Sequence, residues 1–143
     1  LRMTRHVDNA AAVATYLASH DLASNVTYPG LQTSRYRPLV DKYLPAGASA
    51  VFSFDCRGGR QAGEDFIRGV TLWSHLANVG DAKSLVIHPA STTHRQLSDD
   101  ELEAAGVRPG TIRLSVGIEK IDDLIWDLEQ GFGKVSHPHE STV

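Results

Sequence analysis

Three places in this sequence bring together residue types that could do chemistry. Arg113 stands in the middle of Thr111-Ile112-Arg113-Leu114-Ser115-Val116-Gly117, Asn78 lies in Leu76-Ala77-Asn78-Val79-Gly80-Asp81, and His88-Pro89-Ala90-Ser91-Thr92-Thr93-His94 crowds hydroxyls and imidazoles together. A guanidinium is a planar fork of donors that grips a carboxylate with two parallel hydrogen bonds. A primary amide adds a further donor. These groups therefore describe an anion-binding corner built from Arg113, Asn78 and the hydroxyl-rich turn that holds Thr92 and Thr93. The same residues also fit a structural ion pair between Arg113 and a nearby carboxylate, because charges withdrawn from water are as a rule paired. Residue chemistry leaves both readings open and implies no reaction.

Other chemistries find less support. The chain has seven histidines, and His75, His88 and His94 are the interior set. Their gaps of 13 and 6 residues match no compact ligand pattern, so no metal site is expected. Cys56 falls on an apolar strand face with Phe52 and Phe54, where a thiol packs as a small hydrophobe and is not activated as a nucleophile. Gly58-Gly59 lacks the lysine and hydroxyl of a phosphate-binding loop. His137 and His139 lie in a polar tail without a further ligand pattern.

Positioning Arg113 requires a strand, and 111–117 alternates apolar and polar residues with the period of a half-buried one, Arg113 on its polar face. Residues 48–56 alternate in the same way, with Ala50, Phe52, Phe54 and Cys56 on one side. Shorter strands are predicted at 26–28, closed by a type II turn at Pro29-Gly30, and at 75–78 and 84–88, separated by a turn at Gly80-Asp81. An opening helix carries Met3, Val7, Ala10, Ala14 and Leu17 on one face, and a short helix is predicted over 37–43. A third helix after Arg57-Gly58-Gly59 bears the stripe Ala62, Phe66, Val70 and Trp73, with Gly69 placed to admit a close neighbour. Ser98-Asp99-Asp100-Glu101 is a capping box for a helix over 99–105. The last helix shows Ile121, Leu124, Ile125, Leu128 and Phe132 at helical spacing. The pattern predicts an α/β fold, an α+β sandwich in which a small, mostly antiparallel sheet carries helices on one face.

At 143 residues the chain fits one domain with a core of its own. Its 14 basic residues are outnumbered by 17 acidic ones, which argues against nucleic acid or an anionic membrane as partner. No apolar run approaches the ~20 residues that span a bilayer. A single cysteine makes no internal disulfide, which points to a reducing compartment such as the cytoplasm. Helical periodicity is under way at residue 1 without a cap, and this predicts the C-terminal piece of a longer protein.

The run Ser74-His75-Leu76-Ala77-Asn78-Val79-Gly80-Asp81, continued through Ser84-Leu85-Val86-Ile87-His88-Pro89-Ala90-Ser91-Thr92-Thr93-His94 and Gly110-Thr111-Ile112-Arg113-Leu114-Ser115-Val116-Gly117-Ile118-Glu119, resembles the C-terminal domain of the Cys/Met-metabolism family of pyridoxal-phosphate enzymes. The likeness takes in Tyr28-Pro29-Gly30-Leu31 and the opening helix, so it spans nearly the whole chain. Leu76-Ala77-Asn78-Val79-Gly80-Asp81 is most similar to the O-acetylhomoserine sulfhydrylase branch, which makes homocysteine from O-acetylhomoserine and sulfide. Lyase and cystathionine-synthase relatives more often carry serine where Asn78 stands.

The resemblance implies a fold-type I C-terminal domain at 21–133, an interdomain helix at 1–20 and a polar tail at 134–143. It also implies that Arg113 clamps the α-carboxylate of an amino-acid substrate with Asn78 assisting, while Ser91, Thr92 and Thr93 line the same mouth. Pyridoxal phosphate would be held by an N-terminal domain absent here, which carries the Schiff-base lysine, the phosphate-binding glycines and the ring-stacking aromatic. Lys42, Lys83, Lys120 and Lys134 lie in contexts unlike that motif. Hence no catalytic or cofactor-binding residue is expected in this chain, and the isolated chain is expected to be inactive. Implied partners are the N-terminal domain and further copies in a homotetramer serving methionine biosynthesis. The competing expectations are a cystathionine gamma-synthase or methionine gamma-lyase relative, and a free-standing α/β module that binds an anion or a partner.

Overall fold

The two alternating stretches pair with each other at the heart of the molecule. The computed structural model describes residues 1–135. In chain order the elements are α1 (Arg2–Ala18), β1 (Ala23–Ser24), α2 (Arg37–Tyr43), β2 (Val51–Cys56), α3 (Gly59–Gly69), β3 (Ser74–His75), β4 (Leu85–Ile87), a 3-10 turn (Pro89–Ser91), α4 (Asp99–Ala104), β5 (Thr111–Ser115) and α5 (Ile121–Phe132). The strands form one five-stranded sheet in the order β1-β2-β5-β4-β3. Every neighbouring pair is antiparallel except β3 with β4, which is parallel. The expected α+β sandwich is therefore the fold observed, with one parallel edge.

Register decides what each face does. Phe52 lies opposite Leu114, and Leu114 opposite Val86, so these residues share the core side with Phe54 and Ile112. Against that side pack Val13 and Leu17 of α1, Phe66 of α3, and Leu124, Leu128 and Phe132 of α5. Phe66 meets Phe54 edge-on at 5.5 Å and Phe132 at 4.8 Å. The helices come close because two positions lack side chains: a Cβ on Gly69 would lie 2.6 Å from the Gln130 carbonyl oxygen, and one on Gly131 2.8 Å from the Phe66 ring. Gly69 thus admits the neighbour its position predicts.

Three local expectations change. The strand predicted at 26–28 is displaced to Ala23–Ser24, because Asn25 turns into the left-handed region (φ 49°) and interrupts the extended chain. Thr27 still follows β2, but its hydroxyl accepts the Ser53 N–H at 2.9 Å where a carbonyl would continue the ladder. The stretch predicted at 48–56 begins only at Val51, since Ser49 also has positive φ (89°). The segments near 75–78 and 84–88 do not form a turn-joined pair: β3 and β4 run parallel, so 76–84 is a returning loop.

Helix ends also differ. Val70 and Trp73 contribute to the core, yet α3 stops at Gly69 and Val70 is extended. The buried Asp127 carboxylate explains the exit, since it accepts the N–H groups of Thr71, Leu72 and Trp73 at 2.8–3.0 Å. The capping box forms as read, with Ser98 N–H donating to Glu101 Oε2 (2.8 Å) and Glu101 N–H to Ser98 Oγ (3.3 Å). No described helix is long and apolar enough to cross a membrane. Most of the predicted tail, including His137 and His139, lies outside the described residues.

Candidate functional site

Arg113 occupies the central strand β5, opposite Ser53 of β2 and Ile87 of β4. Its side chain leaves the sheet on the side away from Ile112 and Leu114, toward a groove of about 420 Å³ whose lining includes Ser53, Ile87, Thr93, His94 and Val107. The floor is mixed, with apolar Ile87 and Val107 beside the cation and the hydroxyls. Such a surface suits a small amphiphile that carries an anionic end.

The structural ion pair is the alternative to test first. Arg113 has no carboxylate within 4.0 Å among the described residues, whereas Arg37, Arg60 and Arg108 each have one and Arg68 has two. Asp55, on the same side of the sheet, is already occupied. It accepts from Arg108 Nη1 at 2.7 Å, Thr111 Oγ1 at 2.6 Å and Asn25 Nδ2 at 2.8 Å. With three hydrogen bonds already on its two oxygens, Asp55 is committed to Arg108, Thr111 and Asn25 and not to Arg113.

Asn78 is the residue that the structure brings to Arg113, though not through its amide. Arg113 Nη2 donates to the Asn78 carbonyl oxygen at 3.5 Å. Asn78 Oδ1 accepts the Val79 N–H at 2.8 Å, and the Nδ2 donors are unengaged within the described residues. The turn contributes unequally. Thr93 lines the groove and bonds His94 Nδ1 at 2.8 Å. Thr92 instead donates to the His88 carbonyl at 2.9 Å and lines a separate depression over 92–97. Ser91 is likewise drawn to His88, 2.9 Å from Nδ1.

His88 is the hub of that turn. It is fully buried, and its Nε2–H donates to the Pro109 carbonyl at 2.7 Å, so Nδ1 is the acceptor for Ser91. Burial pushes its pKa down from the ordinary value, against a smaller opposing effect of the Pro109 bond, which keeps the ring neutral. A Cβ at Gly63 would lie 2.5 Å from Nε2, so α3 leaves room for this ring. Arg60 secures the outer side of the turn through Ala90 O (2.6 Å), Leu97 O (3.3 Å) and the Asp99 carboxylate (2.6 Å).

Sequence reasoning placed His94 in the turn without choosing it, and did not single out Arg60. Only the adjacency of His94 to Thr93 could have pointed to the first. His75, His88 and His94 form no three-ligand group, nor do any other His, Cys, Asp and Glu among the described residues. Cys56 is buried and its thiol is pushed up to about 12 by burial, so it is not a nucleophile.

The fold and the site define an α+β domain with Arg113 in an open groove on one sheet face. Comparison with known proteins makes the class specific: residues 1–133 match the family described as Cys/Met metabolism PLP-dependent enzyme, and the chain belongs to that family. It is 48% identical over 136 residues to the O-acetyl-L-homoserine sulfhydrylase of Leptospira meyeri, covering 94% of this chain and 31% of that protein. With the homocysteine synthase of Schizosaccharomyces pombe it shares 51% identity over 130 residues, 91% of this chain and 30% of the relative. Among solved structures, the O-acetylhomoserine (thiol)-lyase of Campylobacter jejuni, which contains an N'-pyridoxyl-lysine-5'-monophosphate, superimposes with a TM-score of 0.83 at 44% identity, over 92% of this chain and 31% of that one. The chain thus spans about a third of the length of these relatives.

The cofactor of the family can be set against the groove. Lys42, Lys83, Lys120 and Lys134 are all exposed, and none lines the groove. Among the described residues the groove therefore offers no amine to attach an aldehyde. Its residues suit a carboxylate and do not fit the cofactor.

Proposed function

We propose that this chain supplies the substrate-carboxylate half of a pyridoxal-phosphate active site in an enzyme of the O-acetylhomoserine sulfhydrylase type, which converts O-acetylhomoserine and sulfide to homocysteine and acetate in methionine biosynthesis. The observation that carries the reading is Arg113, a mid-strand guanidinium in an open groove with no carboxylate partner among the described residues, beside an Asp55 that is already occupied. Arg113 binds the α-carboxylate as a bidentate fork, Asn78 Nδ2 and Thr93 Oγ1 supply further hydrogen bonds, and Thr92 braces the turn that presents Thr93. Their contribution is orientation: the cofactor supplies carbanion chemistry when bound, and the protein fixes the amino acid relative to it.

Family membership, with relatives about three times as long, supports a longer polypeptide whose N-terminal domain holds the cofactor, with residues 1–20 as the connecting helix and 21–133 as the substrate domain. A homotetramer in the cytoplasm is the setting that the resemblance implies. This chain alone is inactive and holds no cofactor. Mixed with pyridoxal phosphate and dialysed, it should retain no absorbance band near the visible edge, and a retained band would contradict this part of the reading.

The decisive test is Arg113→Ala in the complete enzyme, for which the expected loss in kcat/KM corresponds to ~2–5 kcal/mol, the range for truncating one partner of a buried charge pair. Unchanged kinetics would remove the assignment. Sulfide competed against cysteine as acceptor separates this branch from a cystathionine-forming relative, since preference for cysteine would move the chain to the other branch.

A further inference from the structure

The Arg113 site depends on a loop with few anchors of its own. Residues 76–80 are all exposed, yet Asn78 must be held where its carbonyl meets Arg113. Both roots of this loop are gripped by carboxylates from beyond β5. At the near root, Asp127 takes the backbone N–H groups of Thr71, Leu72 and Trp73. At the far root, Glu119 takes the Ser84 N–H at 2.6 Å and the Ser84 hydroxyl at 2.8 Å. Ser84 is fully buried, and its Oγ accepts the Gly117 N–H at 2.8 Å.

Glu119 is itself held in place. Its carbonyl accepts from Asn9 Nδ2 at 2.9 Å and Arg5 Nη2 at 3.2 Å of α1, while Ile118 N–H donates to Ala82 O at 2.9 Å. The packing is tight enough to exclude a side chain at Gly117, where a Cβ would lie 2.3 Å from the Ala82 carbonyl oxygen. Glu119 lies in the short loop that follows β5, the strand that carries Arg113. One short piece of chain thus carries both the cation and the carboxylate that sets the loop facing it.

Resting on the carboxylate-binding reading of Arg113, we infer that Glu119 is a positioning residue for the substrate carboxylate, acting through Ser84 on the loop that presents Asn78. It touches no substrate. Its two bonds fix the loop's exit into β4, and through that the distance from Asn78 to Arg113. Because the bonds at Ser84 are charge-assisted and partly shielded from water, they hold the root more firmly than a neutral acceptor would.

The test is Glu119→Ala in the complete enzyme, with Glu119→Gln as the conservative variant that keeps one acceptor oxygen. Expected for Glu119→Ala is an increase of about tenfold both in KM for the amino-acid substrate and in the Kd of an unreactive amino acid such as L-norleucine, with kcat within about twofold. Glu119→Gln should recover part of the loss. Amide exchange should speed up at Ser84 and Ile118 without change in the Phe54 and Leu114 amides. If Glu119→Ala does not fold, Ser84→Ala, which keeps the backbone N–H bond to Glu119 and removes the hydroxyl's bonds to Glu119 and to the Gly117 N–H, takes its place with the same expected split. Unchanged KM and Kd, or a fall in kcat and thermal midpoint without a change in Kd, would overturn the inference. Arg113→Ala measured alongside separates the two levels: if it raises Kd while Glu119→Ala does not, only the positioning role fails, and if neither does, the site reading fails.

Discussion

The two faces of the sheet place opposite demands on the same strands. On one, Phe54, Ile112 and Leu114 are fully buried beneath α1, α3 and α5. On the other, at adjacent register positions, Ser53, Thr111 and Arg113 remain partly open. The open face also holds two contrasting arginines. Arg108 is tied to Asp55 at 2.7 Å, a bond that joins the loop before β5 to the end of β2. Arg113, two residues from Thr111, finds among the described residues only a carbonyl at 3.5 Å. The closed face is shaped for packing and the open one for contact with a ligand, so substitutions on the two should separate stability from binding.

The largest effect on stability belongs to the closed face. Phe66→Ala removes a ring packed between Phe54 and Phe132 and leaves a cavity bounded by helices that glycine contacts already hold close. It should cost about 3–5 kcal/mol, measured by urea denaturation. Arg113→Ala should change the same quantity by about 0.5 kcal/mol or less, as a partly open side chain with no ion pair to lose among the described residues. If Arg113→Ala proves as destabilising as Phe66→Ala, the contrast collapses and Arg113 becomes structural.

Much of the closed face was legible because alternation is a local property with a fixed period. Phe52, Phe54, Ile112 and Leu114 announced their side of the sheet, and Ser98 with Glu101 announced a helix start. The edge strands were not legible in the same way. β1 is cut short by the positive φ of Asn25, and the direction of β3 relative to β4 depends on how the chain returns through 76–84. For the site, Arg113 was visible as a polar residue mid-strand. That it has no carboxylate among the described residues was not, because Asp55 is occupied by groups from two separate stretches, Asn25 and the turn from Arg108 to Thr111. Nothing in the sequence singled out Arg60, Glu119 or Asp127 for these bonds, since the partners cited lie more than 25 residues away in the chain.

Between the two faces sits His88, buried beside α3 while its neighbours reach the groove. Its native pKa is lowered from 6.5 by burial, so the unfolded chain binds its proton first as the solution is acidified. Stability should fall as pH drops through about 6.5 and level off below the native value. Chemical denaturation near pH 7.5 and near pH 5.5 should show this loss, and His88→Gln should shrink the difference between the two. A pH difference unaffected by His88→Gln would assign the acid sensitivity elsewhere.

The smallest expected effect is at the rim. α4 approaches the open face through the 106–107 segment and is anchored by Leu102, which is fully buried. Ser98→Ala removes the hydroxyl that accepts the Glu101 N–H, at a cost of about 1 kcal/mol. Because α4 is a separate short helix over the groove side, the loss should be local. Amides of α4 should exchange faster, while those of β2 and β5 keep their rates. Faster exchange throughout the sheet would mean that the two faces share one cooperative unit, and the separation of packing from binding would then be less complete than the exposure of Arg113 indicates.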